Sequence, residues 1–197
     1  MPGASTRAPA GGSKHRPRGA ETPVPHQYAR IECERRFLLS HLPANIEVTR
    51  IRRLRDRYID GTTLRLREQS EEGSPTIFKL TQKIPAPAAG VQQGSITTIY
   101  LTRGEFRLLA ELPATTLSKT RYSVPPFGID VFEGPLEGLV LAEAEFDSAT
   151  AAAGLTVPSF LSREVTSDQR FTGGQLARAE RHDLRNWLSE YGIILIP

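Results

Sequence analysis

Cysteine occurs once in this 197-residue chain, at Cys33. A lone cysteine excludes an internal disulfide and fits a reducing compartment, with the cytoplasm as the default. Histidine is almost as scarce. His15, His26, His41 and His182 are scattered, two of them close to the N-terminus, and no His/Cys spacing resembles a zinc site. No segment approaches the roughly 18 apolar residues that a membrane-crossing helix needs, and there is no secretory-type apolar leader. Neither a Walker-type loop nor a dinucleotide-binding glycine pattern occurs. Net charge is small, +3, so where the cations sit matters more than their sum.

Residues 1–27 hold five prolines with several Gly and Ser and almost no large apolar side chain. Such a stretch cannot bury enough surface to offset its ordering entropy, so a disordered tail is expected there. Its arginines and few acids resemble a transit peptide, but its prolines oppose an amphipathic helix. A single domain over 28–197 follows. Strands are predicted over about 28–39, 48–58, 62–69, 76–83, 95–101, 117–124, 127–133 and 139–147. Asp60-Gly61 signals a hairpin turn, as do Pro125 and Pro126 with Gly128. Ile84–Gly90, rich in Pro and Ala, is expected to break the sheet. Thr102-Arg-Gly-Glu105 has the form of a capping box opening a short helix that Pro113 stops. A further short helix is expected after Ser148. Gly173-Gly174 reads as a turn before a last amphipathic helix marked by Leu184, Trp187, Leu188 and Tyr191. Eight strands joined mostly by hairpins predict a mainly β (α+β) fold: an antiparallel sheet curled into an eight-stranded β-barrel with a few short flanking helices.

The charge pattern favours a polar interior. Glu32 and Glu34 stand two apart on the first strand, Glu143 and Glu145 two apart on the last. Alternate strand residues share a face, so each pair points one way. Between them, Arg65/Arg67, Lys119/Arg121 and, four apart, Lys79/Lys83 repeat the arrangement with cations. The opposite faces carry Ile31, Cys33, Phe37, Leu64, Leu66, Phe78, Leu80, Ala142, Ala144 and Phe146. Cys33 therefore reads as a small buried hydrophobe, and Tyr58 and Tyr122 as packing or barrel-wall groups. Taken singly, any of these charged pairs is ordinary on a solvated strand. Together, carboxylates for one or two hard divalent cations and bases for a polyanion make the layout of phosphoryl transfer. The densest basic run, Arg50–Arg57 with five arginines, occupies both strand faces and lacks interleaved aromatics, so nucleic acid ranks last as a partner.

Glu32-Cys-Glu-Arg-Arg36 resembles the Glu-x-Glu-x-Lys signature of the CYTH domain, the triphosphate tunnel metalloenzymes. The resemblance continues through Leu64–Arg67, Phe78–Lys83, Leu117–Tyr122, Ile129–Gly134, Leu141–Phe146 and Glu164–Phe171. It is nearest to the short bacterial tripolyphosphatase-like branch. The resemblance implies an eight-stranded antiparallel β-barrel tunnel that binds a triphosphate group inside it, with Mg²⁺ or Mn²⁺ held by Glu32, Glu34, Glu143 and Glu145. It implies phosphates held by Arg65, Arg67, Lys83, Lys119 and Arg121, with Lys79 an addition and Asp130 and Arg170 at further motif positions. Glu32, Glu34 and Arg36 are the implied catalytic positions, and residues around 164–180 the segment near the tunnel mouth. Two departures stand out. Arg36 replaces the signature lysine and cannot serve as a general base. Ser95–Leu101 carries no acid where relatives commonly have glutamate.

The leading expectation is a metal-dependent triphosphatase acting on inorganic tripolyphosphate or a related small-molecule triphosphate or polyphosphate. An adenylate-cyclase-like enzyme on ATP and a catalytically weak polyphosphate- or nucleotide-binding module are the alternatives. Oligomeric state, monomer or homodimer, stays open.

Overall fold

The structure is a computed structural model describing residues 28–86 and 92–195. The expected tail, residues 1–27, lies outside the described residues. Eight strands form the barrel: β1 (Arg30–Leu39), β2 (Arg50–Ile59), β3 (Leu64–Ser70), β4 (Ile77–Ala86), β5 (Gln92–Leu101), β6 (Ala114–Val124), β7 (Phe127–Phe132) and β8 (Val140–Phe146). A ninth, β9 (Arg163–Glu164), is a two-residue addition. Neighbours run in the order β5-β4-β3-β2-β6-β7-β8-β1-β9, and β5 also pairs with β1, which closes the ring. All pairings are antiparallel.

Closure divides one edge of β1. Its first half takes β5, with Arg30 opposite Ile96 and Glu34 opposite Gln92. Its second half takes β9, with Phe37 opposite Glu164. Register then decides which side chains share the interior. Glu34 faces Glu145 and Arg36 faces Glu143 across β1 and β8. Arg121 faces both Arg52 and Asp130, Asp56 faces Arg67, and Arg67 faces Lys79. Paired residues project to the same side of a sheet, so these charges all turn inward.

Two apolar clusters hold the barrel. Inward Leu38, Leu117, Phe132 and Leu141 plug one end and pack against Phe171, Leu176, Leu184 and Leu188. Outside β1, β7 and β8, Phe37, Leu39, Ile129, Ala142 and Ala144 pack with Phe127 and Leu161. Cys33 is fully buried, on the face that alternation assigns it.

Among the described residues, four short α-helices flank the ring. Helix α1 (Arg103–Leu109) has a complete Thr102–Glu105 capping box, and Phe106 stacks on Phe78 of β4 at 4.6 Å between centroids. Ser148 caps α2 (Ala149–Ala153) through Ala151 N–H. Helix α4 (Arg181–Glu190) buries Leu184 and Leu188, each contributing about 1.5–3 kcal/mol of transfer free energy.

Three local expectations are corrected. Ile84, Pro85 and Ala86 stay in β4, opposite Ser95, Gly94 and Gln93. In the β3–β4 ladder the last pair is Leu64 with Gln82. Beyond it β4 has a strand on one side only, where a proline lacking N–H is tolerated. The remainder of the expected loop, 87–91, lies outside the described residues. Second, β9 was not expected, because two exposed residues show no periodicity. Third, Gly173-Gly174 begins a short helix, α3 (Gly173–Leu176), with Thr172 as its N-cap residue.

Candidate active site

A cavity of about 340 Å³ lies inside the barrel. Four carboxylates line it, Glu32, Glu34, Glu143 and Glu145, with six cations, Arg36, Arg65, Arg67, Lys83, Arg121 and Arg178. Tyr58, Thr81 and the segment around Gln169–Gln175 complete the wall. Six positive charges against four negative suit a polyanion. A cavity with low-dielectric walls strengthens that bias.

The acids stand on β1 and β8. Lys83 Nζ from β4 lies 2.8 Å from Glu34 Oε2 and 3.0 Å from Glu32 Oε2. Burial opposes the ammonium charge, but Glu34 and Glu32 push its pKa up to about 12. Glu143 accepts from Arg121. Burial alone would raise its carboxyl, yet Lys119 and Arg121 hold it well below the usual carboxylate range. Glu145 behaves in the opposite way. Burial and then the negative charges of Glu32 and Glu143 raise it, and its nearest cation, Arg30, is 3.8 Å away. Lys83 therefore sits as a cation between two carboxylates while a third is crowded by like charge.

The cations are held from beneath. Asp56, on β2, binds Arg67 through two hydrogen bonds of 2.6 and 2.7 Å. Despite complete burial, Arg67 and Arg65 keep its carboxyl at about 2. Asp130, on β7 and fully buried, accepts two 2.6 Å bonds from Arg121 and another from Lys119. Gly128 leaves room for the Arg121 side chain. It sits opposite Glu143, and a Cβ there would come within 3.1 Å of the Arg121 side chain. Arg36 ties β1 to the segment after β9. Its Nη2 donates to Thr166 O at 2.9 Å, its backbone N–H to Thr166 Oγ1, and its Nε is 3.6 Å from Glu34.

No family model matches the chain. A curated inorganic triphosphatase from Nitrosomonas europaea is 34% identical over 158 residues, which span 74% of this chain and 96% of that protein. This chain belongs to the inorganic triphosphatase family. A crystal structure described as the hypothetical protein NE1496 is 28% identical, covers 76% of this chain and 99% of its own, and superposes with a TM-score of 0.50. A second, described as the inorganic triphosphatase NE1496, is 26% identical over 75% of this chain and 95% of its own, with a TM-score of 0.49.

The triphosphatase-family tunnel gathers nine of the thirteen side chains singled out from sequence: Glu32, Glu34, Arg36, Arg65, Arg67, Lys83, Arg121, Glu143 and Glu145. The other four lie elsewhere. Lys119 and Asp130 form the buried layer under Arg121. Lys79 stands beside Gln69 and the Tyr100 ring. Arg170 clamps the C-terminal segment, pairing with Asp168 and Glu190, while Tyr191 donates to Asp168.

The four cavity carboxylates are hard oxygen donors of the kind Mg²⁺ and Mn²⁺ take. Among the described residues, no three His, Cys, Asp or Glu side chains converge enough to enclose an ion. The position of Lys83 and the raised Glu145 carboxyl are nevertheless what a site for added positive charge presents. By donor type and charge the residues fit a divalent cation.

Sequence reasoning missed Asp56, Tyr58, Gly128 and Arg178 as site residues. Asp56 had a signal, as the single acid within five arginines and on the same strand face as Tyr58. Gly173 seats α3 against Tyr58, since a Cβ there would fall 2.0 Å from the Tyr58 hydroxyl oxygen. Gly173→Ala is expected to destabilise by about 1–3 kcal/mol through overpacking, read as a melting temperature lowered by roughly 2–4 °C per kcal/mol. Adding Tyr58→Phe removes the worst contact and is expected to restore most of the loss. A double variant no more stable than Gly173→Ala contradicts this packing.

Proposed function

We propose that this chain hydrolyses an inorganic triphosphate inside the barrel, with Mg²⁺ or Mn²⁺ held by Glu32, Glu34, Glu143 and Glu145. Water oxygen bonds to the terminal phosphorus, the phosphoanhydride bond breaks, and orthophosphate leaves with pyrophosphate. The observation carrying this reading is the shared inward face. Acids on β1 and β8 confront cations on β3, β4 and β6 across one cavity. The inorganic triphosphatase activity for which the Nitrosomonas relative is named supports it, as does the resemblance to the CYTH domain, to which we assign the chain.

Arg65, Arg67 and Arg121 present planar forks that match phosphate oxygens, and Lys83 a point charge. Asp56 and Asp130 hold two of those forks in place before substrate arrives. Preorganised charge of this kind is the main source of catalysis in phosphoryl transfer, where positioning and electrostatics dominate. When bound, the divalent cation supplies Lewis acidity toward phosphoryl oxygens. Arg36 is a permanent cation anchored beside Glu34, so its contribution is electrostatic and does not include proton transfer. The lone Cys33 fits a reducing compartment, and on that ground we place the enzyme in the cytoplasm.

The test is product release from tripolyphosphate, ATP, GTP and thiamine triphosphate with each metal in turn. The expected result is orthophosphate, fastest from tripolyphosphate, and none in excess chelator. Pyrophosphate with a cyclic nucleotide from ATP would replace this reading by a cyclase. Metal-dependent binding without release would leave a binding module.

A further inference from the structure

The cations of the barrel continue past the cavity toward the end where β2 and β4 begin. Arg52 lies six residues along β2 from Tyr58, roughly 20 Å at about 3.3 Å per residue. Lys79 lies four residues along β4 from Lys83, roughly 13 Å on the same scale. Each stands beside a cation that lines the cavity, Arg52 opposite Arg121 and Lys79 opposite Arg67. The positive wall is therefore continuous from the cavity to this far end.

What separates these two from the other inner cations is their partners. Arg67 has Asp56, Arg121 has Asp130 and Glu143, Lys83 has Glu32 and Glu34, and Arg50 has Glu71. Among the described residues Arg52 and Lys79 hydrogen-bond to neutral groups, and the Glu71 carboxylate, bound by Arg50, acts on Arg52 only at a distance. Arg52 Nη2 donates to Ser123 Oγ at 2.8 Å, and its buried Nε has no hydrogen-bond partner among the described residues. Lys79 Nζ is 3.4 Å from Gln69 Oε1 and 5.3 Å from the Tyr100 ring centroid. Burial and then Arg121 and Arg50 lower the pKa of Arg52, while burial and then Arg67 and Arg52 lower that of Lys79. Cations crowded in this way gain from an incoming anion.

We propose that Arg52 and Lys79 form a distal subsite that takes a further phosphoryl group of a linear polyphosphate longer than triphosphate. The proposal rests on the triphosphatase reading of the cavity, since the chain enters the subsite from there. Arg52 offers a fork to phosphoryl oxygens and Lys79 a point charge. Both belong to the inner face and are distinct from Arg53, which points outward and is more than half exposed.

The test compares kcat/KM and calorimetric affinity for tripolyphosphate and for a long linear polyphosphate in Arg52→Gln, Lys79→Gln and Arg53→Gln. Charge-assisted hydrogen bonds contribute about 1.5–3 kcal/mol, so losing one from the subsite lowers long-chain preference by about tenfold or more. Arg52→Gln is expected to lose that preference while tripolyphosphate turnover stays within about twofold. Arg53→Gln, which removes the same charge from the outer face, is expected to leave the preference intact. Arg52→Lys is expected to keep much of it. Lys79→Gln gives an independent reading on another strand should Arg52→Gln fail to fold.

An unchanged ratio in both inner variants overturns the subsite, as does an equal loss in Arg53→Gln, which would reduce it to surface charge. If the natural protein releases no phosphate from tripolyphosphate, hydrolysis is refuted separately. Selective loss of long-chain affinity in Arg52→Gln would then still support the subsite.

Discussion

Replacing Glu34 by alanine is expected to lower triphosphate turnover by about 10²–10³-fold or more while the protein stays folded. The magnitude is that of losing a preorganised charge at a reacting centre. Retention of the fold follows from the geometry. Glu34 is nearly buried, and removing a buried partner normally leaves a costly uncompensated charge. Here Lys83 keeps Glu32 at 3.0 Å, and Arg36, 3.6 Å from Glu34, keeps its hydrogen bond to Thr166 O, so neither cation is orphaned. Glu145→Ala is expected to act in the same direction, at a half-exposed position whose counter-charge, Arg30 at 3.8 Å, is itself largely exposed to water. Steady-state phosphate release together with a thermal melt separates the two effects. Full turnover in a folded Glu34→Ala protein contradicts the assignment.

The second large effect is on stability. Asp56→Asn is expected to destabilise by about 3–5 kcal/mol, the cost of breaking a buried ion pair from one side. Asp56 is 1% exposed, with both oxygens on Arg67, and the remaining inner acids are already paired. For a domain of this size the melting temperature is expected to fall by roughly 10 °C. Acid removes the same contribution from the natural protein. The folded carboxyl titrates at about 2 against 3.8 in its unperturbed state, so as pH drops the unfolded chain takes up the proton first. The stabilisation is complete above about pH 4 and disappears toward pH 2. The gap between the natural protein and Asp56→Asn is expected to narrow over that range by about 2–3 kcal/mol, at about 1.4 kcal/mol per unit of pKa. A gap constant with pH would show that Asp56 is not the ionised partner of Arg67.

The sequence carried the strands well because period-two alternation survives wherever one face is apolar. Glu32/Cys33/Glu34 and Ala142/Glu143/Ala144/Glu145 each display it, and the closed ring turns their acids inward. Alternation does not report register or closure. The β1–β5 pairing joins residues 58 to 66 positions apart, and no local pattern encodes it. Arg50–Arg57 shows the same limit. Composition marks it as basic, but only pairing with β3 and β6 separates inward Arg52 and Asp56 from outward Arg53. The motif position of Arg170 reveals nothing of its partners. Those are Asp168 and Glu190, and the second belongs to a helix that packs from the far end of the chain. The last part of the cavity wall, Gln169–Arg178, follows from a non-local contact, the seat of Gly173 on Tyr58.

The most direct measurement is a crystal structure of the protein with tripolyphosphate and Mn²⁺, using anomalous scattering to locate the metal. Phosphate density reaching Arg65, Arg67, Lys83 and Arg121, with a Mn²⁺ peak touching the glutamates of β1 and β8, is the predicted result. Phosphate and Mn²⁺ on the outer wall, with the barrel interior left to water, would contradict it.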